Sequence, residues 1–163
     1  MKSSSETTKT NEANRTGNTL ENFVKQELIN EEYVESTNNK KQLFNNRLSV
    51  GGKQFAQQVP CGKSIYDTAR KCDFLIMNQD KFPDGLIIEC KWQQSAGSVD
   101  EKYPFTLFNI FKIGVPTIIL LDSGGYKESA MQWLKDQVDP NRGLIGVYSM
   151  SEFHTKVNNG LLG

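Results

Sequence analysis

Asp73-Phe74-Leu75-Ile76-Met77 and Leu86-Ile87-Ile88-Glu89-Cys90-Lys91-Trp92 are two apolar runs separated by Asn78-Gln79-Asp80-Lys81-Phe82-Pro83-Asp84-Gly85, a stretch dense in turn formers. If the runs pair as an antiparallel hairpin about that stretch, facing positions keep a constant sum. Asp73 and Glu89 sum to 162, which centres the hairpin on Lys81 and sets the two carboxylates side by side on adjacent strands. Strand alternation then puts Glu89, Lys91 and Gln93 on one face, with Ile88, Cys90 and Trp92 on the other. Asp84 stands only five residues before Glu89 and inside the turn, so it cannot lie opposite Glu89 on a neighbouring strand.

Working outward, Leu20, Phe23, Val24 and Leu28, and less regularly Tyr33 and Val34, recur at helical spacing. This predicts an amphipathic helix from an N-cap at Asn18 or Thr19 to about Glu35. Polar residues 36–42 break it, and Gly51-Gly52 marks a turn. Phe55, Gln57 and Val59 alternate in a strand from Gln54 to Pro60, and residues 61–71 read as a polar, basic connection to the hairpin. After the hairpin, the pattern predicts a helix from Val99 or Asp100 to Lys112 and a fully buried strand from Pro116 to Leu121. Ser123-Gly124-Gly125-Tyr126 then reads as a tight turn, with a phosphate contact through its backbone amides as the alternative. A helix from Tyr126 to Val138, a strand from Leu144 to Tyr148 and a short helix capped by Ser151 and running through Val157 complete the order. A meander followed by βαβ crossovers gives an α/β fold, a mixed sheet between layers of helices.

The chain has 163 residues, enough for one domain with a real core; residues 1–16, almost without apolar side chains, are expected to be a disordered arm and 17–163 the domain. The longest apolar stretch, Val115 to Leu121, is strand-sized, and Met1-Lys2 leads into polar residues with no signal core, so a cytoplasmic protein away from membranes is expected. Cys61, Cys72 and Cys90 are odd in number and lack the CxxC spacing, which fits neither a disulfide framework nor a zinc site and leaves them as buried thiols. The formal net charge is zero, yet residues 40–112 carry eleven Lys/Arg against seven Asp/Glu. Lys53, Lys63, Arg70 and Lys71 in that region are candidate phosphate contacts, and the loops at 36–53 and 60–71 are the obvious places for base-reading elements. His154 is the only histidine and falls in the polar C-terminal helix, which disfavours histidine-based hydrolysis; no P-loop or Gly-x-Gly-x-x-Gly is present.

Two acids and a lysine converging at one end of an apolar hairpin have a chemical use. Hard oxygen ligands hold Mg²⁺, which lowers the pKa of water and offsets charge developing on a phosphate. Asp73 and Glu89 can supply those oxygens, the backbone carbonyl of Cys90 a further one, and Lys91 can orient the attacking water. The structural alternative is a half-exposed strand face with a simple cross-strand ion pair.

Asp73, fifteen intervening residues and Glu89-Cys90-Lys91 resemble the motif of the PD-(D/E)XK nuclease superfamily, the restriction-endonuclease-like fold. Gly17-Asn18-Thr19-Leu20-Glu21 resembles the opening of that family's first core helix, whose glutamate often completes the metal site, and Gln93 matches a polar residue frequent two positions after the lysine. The helix carrying Lys102 and the strand Pro116–Leu121 match the second half of the family's αβββαβ core, so the resemblance covers roughly residues 17–148. Cys72 departs from the proline expected before Asp73. The resemblance implies a three-layer α/β/α fold and a Mg²⁺-dependent DNA endonuclease, with Mn²⁺ able to substitute. It implies Asp73, Glu89, Lys91, Glu21 and Gln93 as catalytic residues, and Asp73, Glu89 and the Cys90 carbonyl at the metal. DNA is the implied partner, a homodimer the implied assembly, and a site-specific enzyme of restriction or homing type one form of the activity; repair and junction resolution are others. The alternatives are a catalytically inactive DNA- or protein-binding module of the same fold, and an ordinary α/β domain with surface ion pairs.

Overall fold

The computed structural model describes residues 19–92, 102–122 and 128–163. Helix α1 (residues 19–30) is followed by a two-residue strand β1 (Val34–Glu35) and helix α2 (Lys40–Asn46). Strands β2 (Gln54–Lys63), β3 (Ala69–Asn78) and β4 (Phe82–Trp92) form an antiparallel meander. Helix α3 (Lys102–Ile113), β5 (Thr117–Asp122), α4 (Glu128–Asp136), β6 (Leu144–Tyr148) and α5 (Met150–Asn158) complete the chain. The six strands lie in sequence order in one mixed sheet, with β1 parallel to β2, and β4, β5 and β6 mutually parallel.

The two faces of the sheet are read directly from β5. Ile118 and Leu120 pack with Leu20, Val24 and Leu28 of α1 and Phe153 and Val157 of α5, while Ile119 and Leu121 pack with Tyr103, Leu107 and Ile110 of α3 and Leu134 of α4. A strand buried on both faces must be apolar at every position, which explains the unbroken run. The expected α/β sandwich is thus present, with α1 and α5 on one side and α3 and α4 on the other. Leu43 of α2 joins a third cluster with Leu75, Met77 and Ile87. Among the described residues no helix is long and apolar enough to cross a membrane.

Several boundaries differ from the sequence pattern for identifiable reasons. Helix α1 ends at residue 30 rather than near Glu35, because Glu32 takes a left-handed conformation (φ 68°) and the N–H of Tyr33 bonds back to the Leu28 carbonyl. Tyr33 still enters the core, while Val34 is exposed in β1. Helix α2 lies where polar residues suggested only a break; Leu43 is its one buried side chain, so no apolar period announces it, and the Asn39 cap on the Lys41 N–H starts it. The connection expected at 61–71 shrinks to residues 64–68, since β2 and β3 continue past the apolar run as a two-stranded arm. Likewise β4 begins at Phe82, so Pro83 and Asp84 belong to a strand and not to the turn. The proposed N-cap at Asn18, the turn at Ser123-Gly124-Gly125-Tyr126 and the first residues expected of α3 and α4 lie outside the described residues.

Helix α5 is capped two residues earlier than expected: the Ser149 side chain accepts from the Glu152 N–H, and the Glu152 carboxylate accepts from the Ser149 N–H. Ser149→Ala is therefore expected to lower unfolding free energy by about 1 kcal/mol, while Ser151→Ala changes it little; urea midpoints of the two variants check this, and equal midpoints would contradict the cap.

Candidate active site

Register brings the acidic pair together. Phe74 pairs with Ile88, Leu75 with Ile87 and Ile76 with Leu86, so the constant sum of 162 holds through the apolar part of the hairpin and, carried one step further, sets Asp73 opposite Glu89. Only at the turn does the register shift, where Asn78 pairs with Phe82. Asp84 lies five residues from Glu89 along the same strand, roughly 16 Å away at ordinary strand rise. Its carbonyl accepts a hydrogen bond from Nε of Arg47, and it takes no part in the site.

Asp73 occupies a place where the pleat of the sheet reverses. Phe74 and Ile76 face α1 and α5, and Leu75 and Met77 face α2; strict alternation would send Cys72 with Phe74, yet Cys72 packs with Leu75 and Met77. On β2 the same reversal separates Phe55, on the α1 side, from Val59 and Cys61, on the α2 side. The expectation that Phe55, Gln57 and Val59 share one face is corrected accordingly. The cause is Gln58, which lies opposite Asp73 and has φ 52°, a left-handed conformation unusual for glutamine in a strand. The register between β2 and β3 is the same on both sides of this position, so the twist is absorbed without an inserted residue.

The Asp73 carboxylate is held at two points. Oδ2 accepts the backbone N–H of Cys90 at 2.8 Å, and Oδ1 accepts from Nε2 of Gln58 at 3.2 Å. The same Gln58 nitrogen donates to Oε1 of Glu21 at 3.4 Å. Gln58 thus links the first helix to the strand acid. Burial, and after it the charge of Asp73, raise the pKa of Glu21 above its ordinary value.

Glu89 is only 3% exposed. Burial, and then the neighbouring Asp73, push its pKa up to about 8; Lys91 and Arg70 pull in the opposite direction without offsetting them, and a hydrogen bond shared with the Asp73 carboxyl also favours the protonated form. The Arg70 Nη2 donates to Glu89 Oε1 at 2.6 Å, an ion pair with little exposure on either side. Arg70 reaches this face because the reversal at Asp73 turns the strand before it. Lys91, one pleat along from Glu89, is half-buried and opens onto the same cleft. Cys90, between them, is half-buried against the α1 side. The cleft measures about 320 Å³ and lies between the β2–β3 arm and α3, with Arg70, Lys71, Lys91 and Lys102 among its walls.

The structure therefore brings together Asp73, Glu89, Lys91 and, through Gln58, Glu21; Gln93 lies outside the described residues. Two partners escaped the sequence pattern. Gln58 becomes visible only once the β2–β3 register is known, and Arg70, a candidate phosphate contact in the sequence, is in the structure the ion-pair partner of Glu89. His154 sits apart on α5, its Nδ1 2.6 Å from Oε1 of Glu27 on α1. All three cysteines are free, Cys61 and Cys72 buried and Cys90 half-buried. Among the described residues no three His, Cys, Asp or Glu side chains form a ready metal cluster. The donors available are two carboxylates, in hydrogen-bond contact, and neighbouring backbone oxygen. That set suits a hard cation that keeps most of its water ligands, and one positive charge between the acids would relieve the repulsion that raises Glu89.

A profile of the PD-(D/E)XK nuclease superfamily domain matches residues 12–161. No curated protein and no solved structure gives a significant match. The matched region contains every element that builds the acidic pair, from α1 through α5, and the αβββαβ order with its mixed sheet agrees with the family fold. The residues that suggested the resemblance thus lie in a domain of that kind: this chain belongs to the PD-(D/E)XK nuclease superfamily.

Proposed function

We propose that the chain is a DNA endonuclease that hydrolyses phosphodiester bonds with Mg²⁺, for which Mn²⁺ can substitute. The observation that carries this reading is the apposition of Asp73 with a buried Glu89, next to Lys91, in a cleft whose other charged walls are basic. An isolated ion pair on a solvated strand face would leave no reason to bury a glutamate beside an aspartate, since each raises the cost of ionising the other.

In this reading Asp73 and Glu89 are the metal ligands, with the Cys90 carbonyl as a third oxygen. The divalent cation, when bound, supplies Lewis acidity toward phosphate and water. Asp73 is pre-oriented for its role, because the Cys90 N–H fixes one oxygen and Gln58 steadies the other. Lys91 holds the attacking water and, as a point charge, helps neutralise the phosphate as charge develops. Glu21 supports the pair from outside through Gln58, and Gln93, two residues beyond Lys91, is assigned to the same group by the family motif. Arg70, paired with Glu89, would stand beside a bound cation, and its planar fork would suit a phosphate held there. One site per chain cuts one strand at a time, so a homodimer that cuts both strands together belongs to this proposal by analogy with other nucleases.

Lys91→Ala is expected to reduce metal-dependent cleavage of supercoiled, linear or branched DNA by about 10²-fold or more, and Asp73→Asn or Glu89→Gln to abolish it. Wild-type protein that binds DNA without metal-dependent cutting would favour an inactive binding module instead.

Glu89 also makes stability pH-dependent. A carboxyl whose folded pKa, about 8, lies above its ordinary 4.5 stabilises the fold fully only below about pH 4.5, and that contribution is lost as pH rises through 8. In EDTA, Glu89→Gln should therefore gain on wild type between pH 5 and 8.5, by roughly a few kcal/mol at most. Millimolar Mg²⁺ at pH 8.5 should narrow the gap by stabilising wild type alone. Thermal midpoints measured across that range test both statements; a gap that does not widen with pH contradicts the first, and no response to metal contradicts the second.

A further inference from the structure

The residue 64–68 turn at the tip of the β2–β3 arm is built with care uncommon in an exposed loop. Ser64, almost fully buried, pairs its hydroxyl with that of Thr68 at 2.7 Å, and its backbone N–H donates to the Thr68 carbonyl at 2.8 Å. The turn is then fastened to α3. Oδ1 of Asn109, a side chain on a residue only 2% exposed, accepts the Ile65 N–H at 2.8 Å, and Nζ of Lys112 donates to the Ser64 carbonyl at 2.8 Å. What this framework presents is Tyr66, 73% exposed, with its ring stacked on Phe105 of α3 at a centroid distance of 5.3 Å and an interplanar angle of 19°.

Phe105 is also a wall of the acidic cleft, and Phe108, one turn further along α3, is exposed as well. An aromatic pair therefore stands at the rim of the cleft that Arg70, Lys71, Lys91 and Lys102 make basic. Leaving these rings in water forfeits their burial energy, and fixing the turn under them costs chain entropy. A basic groove ending at aromatic faces is the arrangement that holds single-stranded nucleic acid: cations follow the phosphates, and a ring face takes a base. Paired bases within a duplex offer only their edges in the grooves, so a ring face can be used only by a base that has left the helical stack.

We propose that Tyr66 and Phe105 form a base-stacking platform and that the DNA this enzyme cuts carries an unpaired segment next to the scissile phosphate. The proposal rests on the nuclease reading above and names its substrate class. A base stacked on Tyr66, at the rim of the cleft that holds the acidic pair, lies on the strand that this cleft receives.

The test compares a fully paired DNA duplex with the same duplex carrying a single-stranded flap. Binding is measured in EDTA and cleavage in Mg²⁺, for wild type, Tyr66→Ala and Tyr66→Phe. Tyr66→Ala should weaken binding of the flapped substrate about ten-fold more than that of the duplex, and Tyr66→Phe should keep wild-type preference. A 2-aminopurine placed at successive flap positions beside the cut should be quenched at one of them by wild type and Tyr66→Phe, and at none by Tyr66→Ala. Equal effects of Tyr66→Ala on both substrates, or unchanged quenching, in an enzyme that still cuts DNA would overturn the platform and leave the nuclease reading standing. Wild type that neither binds nor cuts either substrate would overturn both.

Discussion

The hydrogen bond from the Cys90 N–H to Oδ2 of Asp73 joins a side chain of one strand to the backbone of the next, at the point where a ladder bond would otherwise run. It forms because β2 and β3 reverse their pleat there, with Gln58 in a left-handed conformation directly opposite Asp73. Without that reversal Arg70 would point toward α1 and α5, and Glu89 would face Asp73 with no guanidinium beside it. The reversal also decides which cysteines are interior: Cys61 and Cys72 fall on the α2 side with Leu75 and Met77. One unfavourable backbone conformation, costing of order 1–3 kcal/mol, thus accompanies the turning of Val59, Arg70 and Cys72 to the other face.

The opposed tendencies in the site follow from where the sheet is dry. Glu89 lies in a central strand, pairs with Ile119 of β5 and is covered from solvent, so its ionised form is disfavoured. Lys91 and Arg70 reduce that penalty but do not remove it, and Asp73 adds to it. Such an arrangement is poor as a structural ion pair and well suited to receiving positive charge, which is the usual relation between strained electrostatics and function. The apolar remainder of the hairpin, Phe74 to Met77 against Leu86 to Ile88, holds the two acids in place because a slip of one residue would turn every one of those side chains to the wrong face.

The hairpin arm and α3 make the other half of the cleft. Their contact joins hydrogen bonds from Asn109 and Lys112 to backbone atoms of the turn with the stacking of Tyr66 on Phe105, and together these set the width of the basic groove. The acids are thus placed by the sheet, and Arg70 and Lys71 of the basic wall by the arm. The two halves meet at the Arg70–Glu89 ion pair.

The sequence by itself determined the strand pairing, the common face of Glu89 and Lys91, the exclusion of Asp84 and the order of the main elements. Those properties follow from alternation and spacing, which act over a few residues and are written in apolar periodicity. It did not determine the strand extensions that build the arm, the α2 helix with its single buried leucine, or the early end of α1 at Glu32. Gln58 and Arg70 were the largest gaps in the site. A left-handed glutamine has no compositional mark, as a glycine or asparagine would, and the partner of a charged side chain depends on which face a distant twist gives it. Periodicity is a local property of the chain; the pleat reversal, the burial of Glu89 and the docking of the arm on α3 are consequences of packing between segments far apart in sequence, so only the tertiary structure decided them.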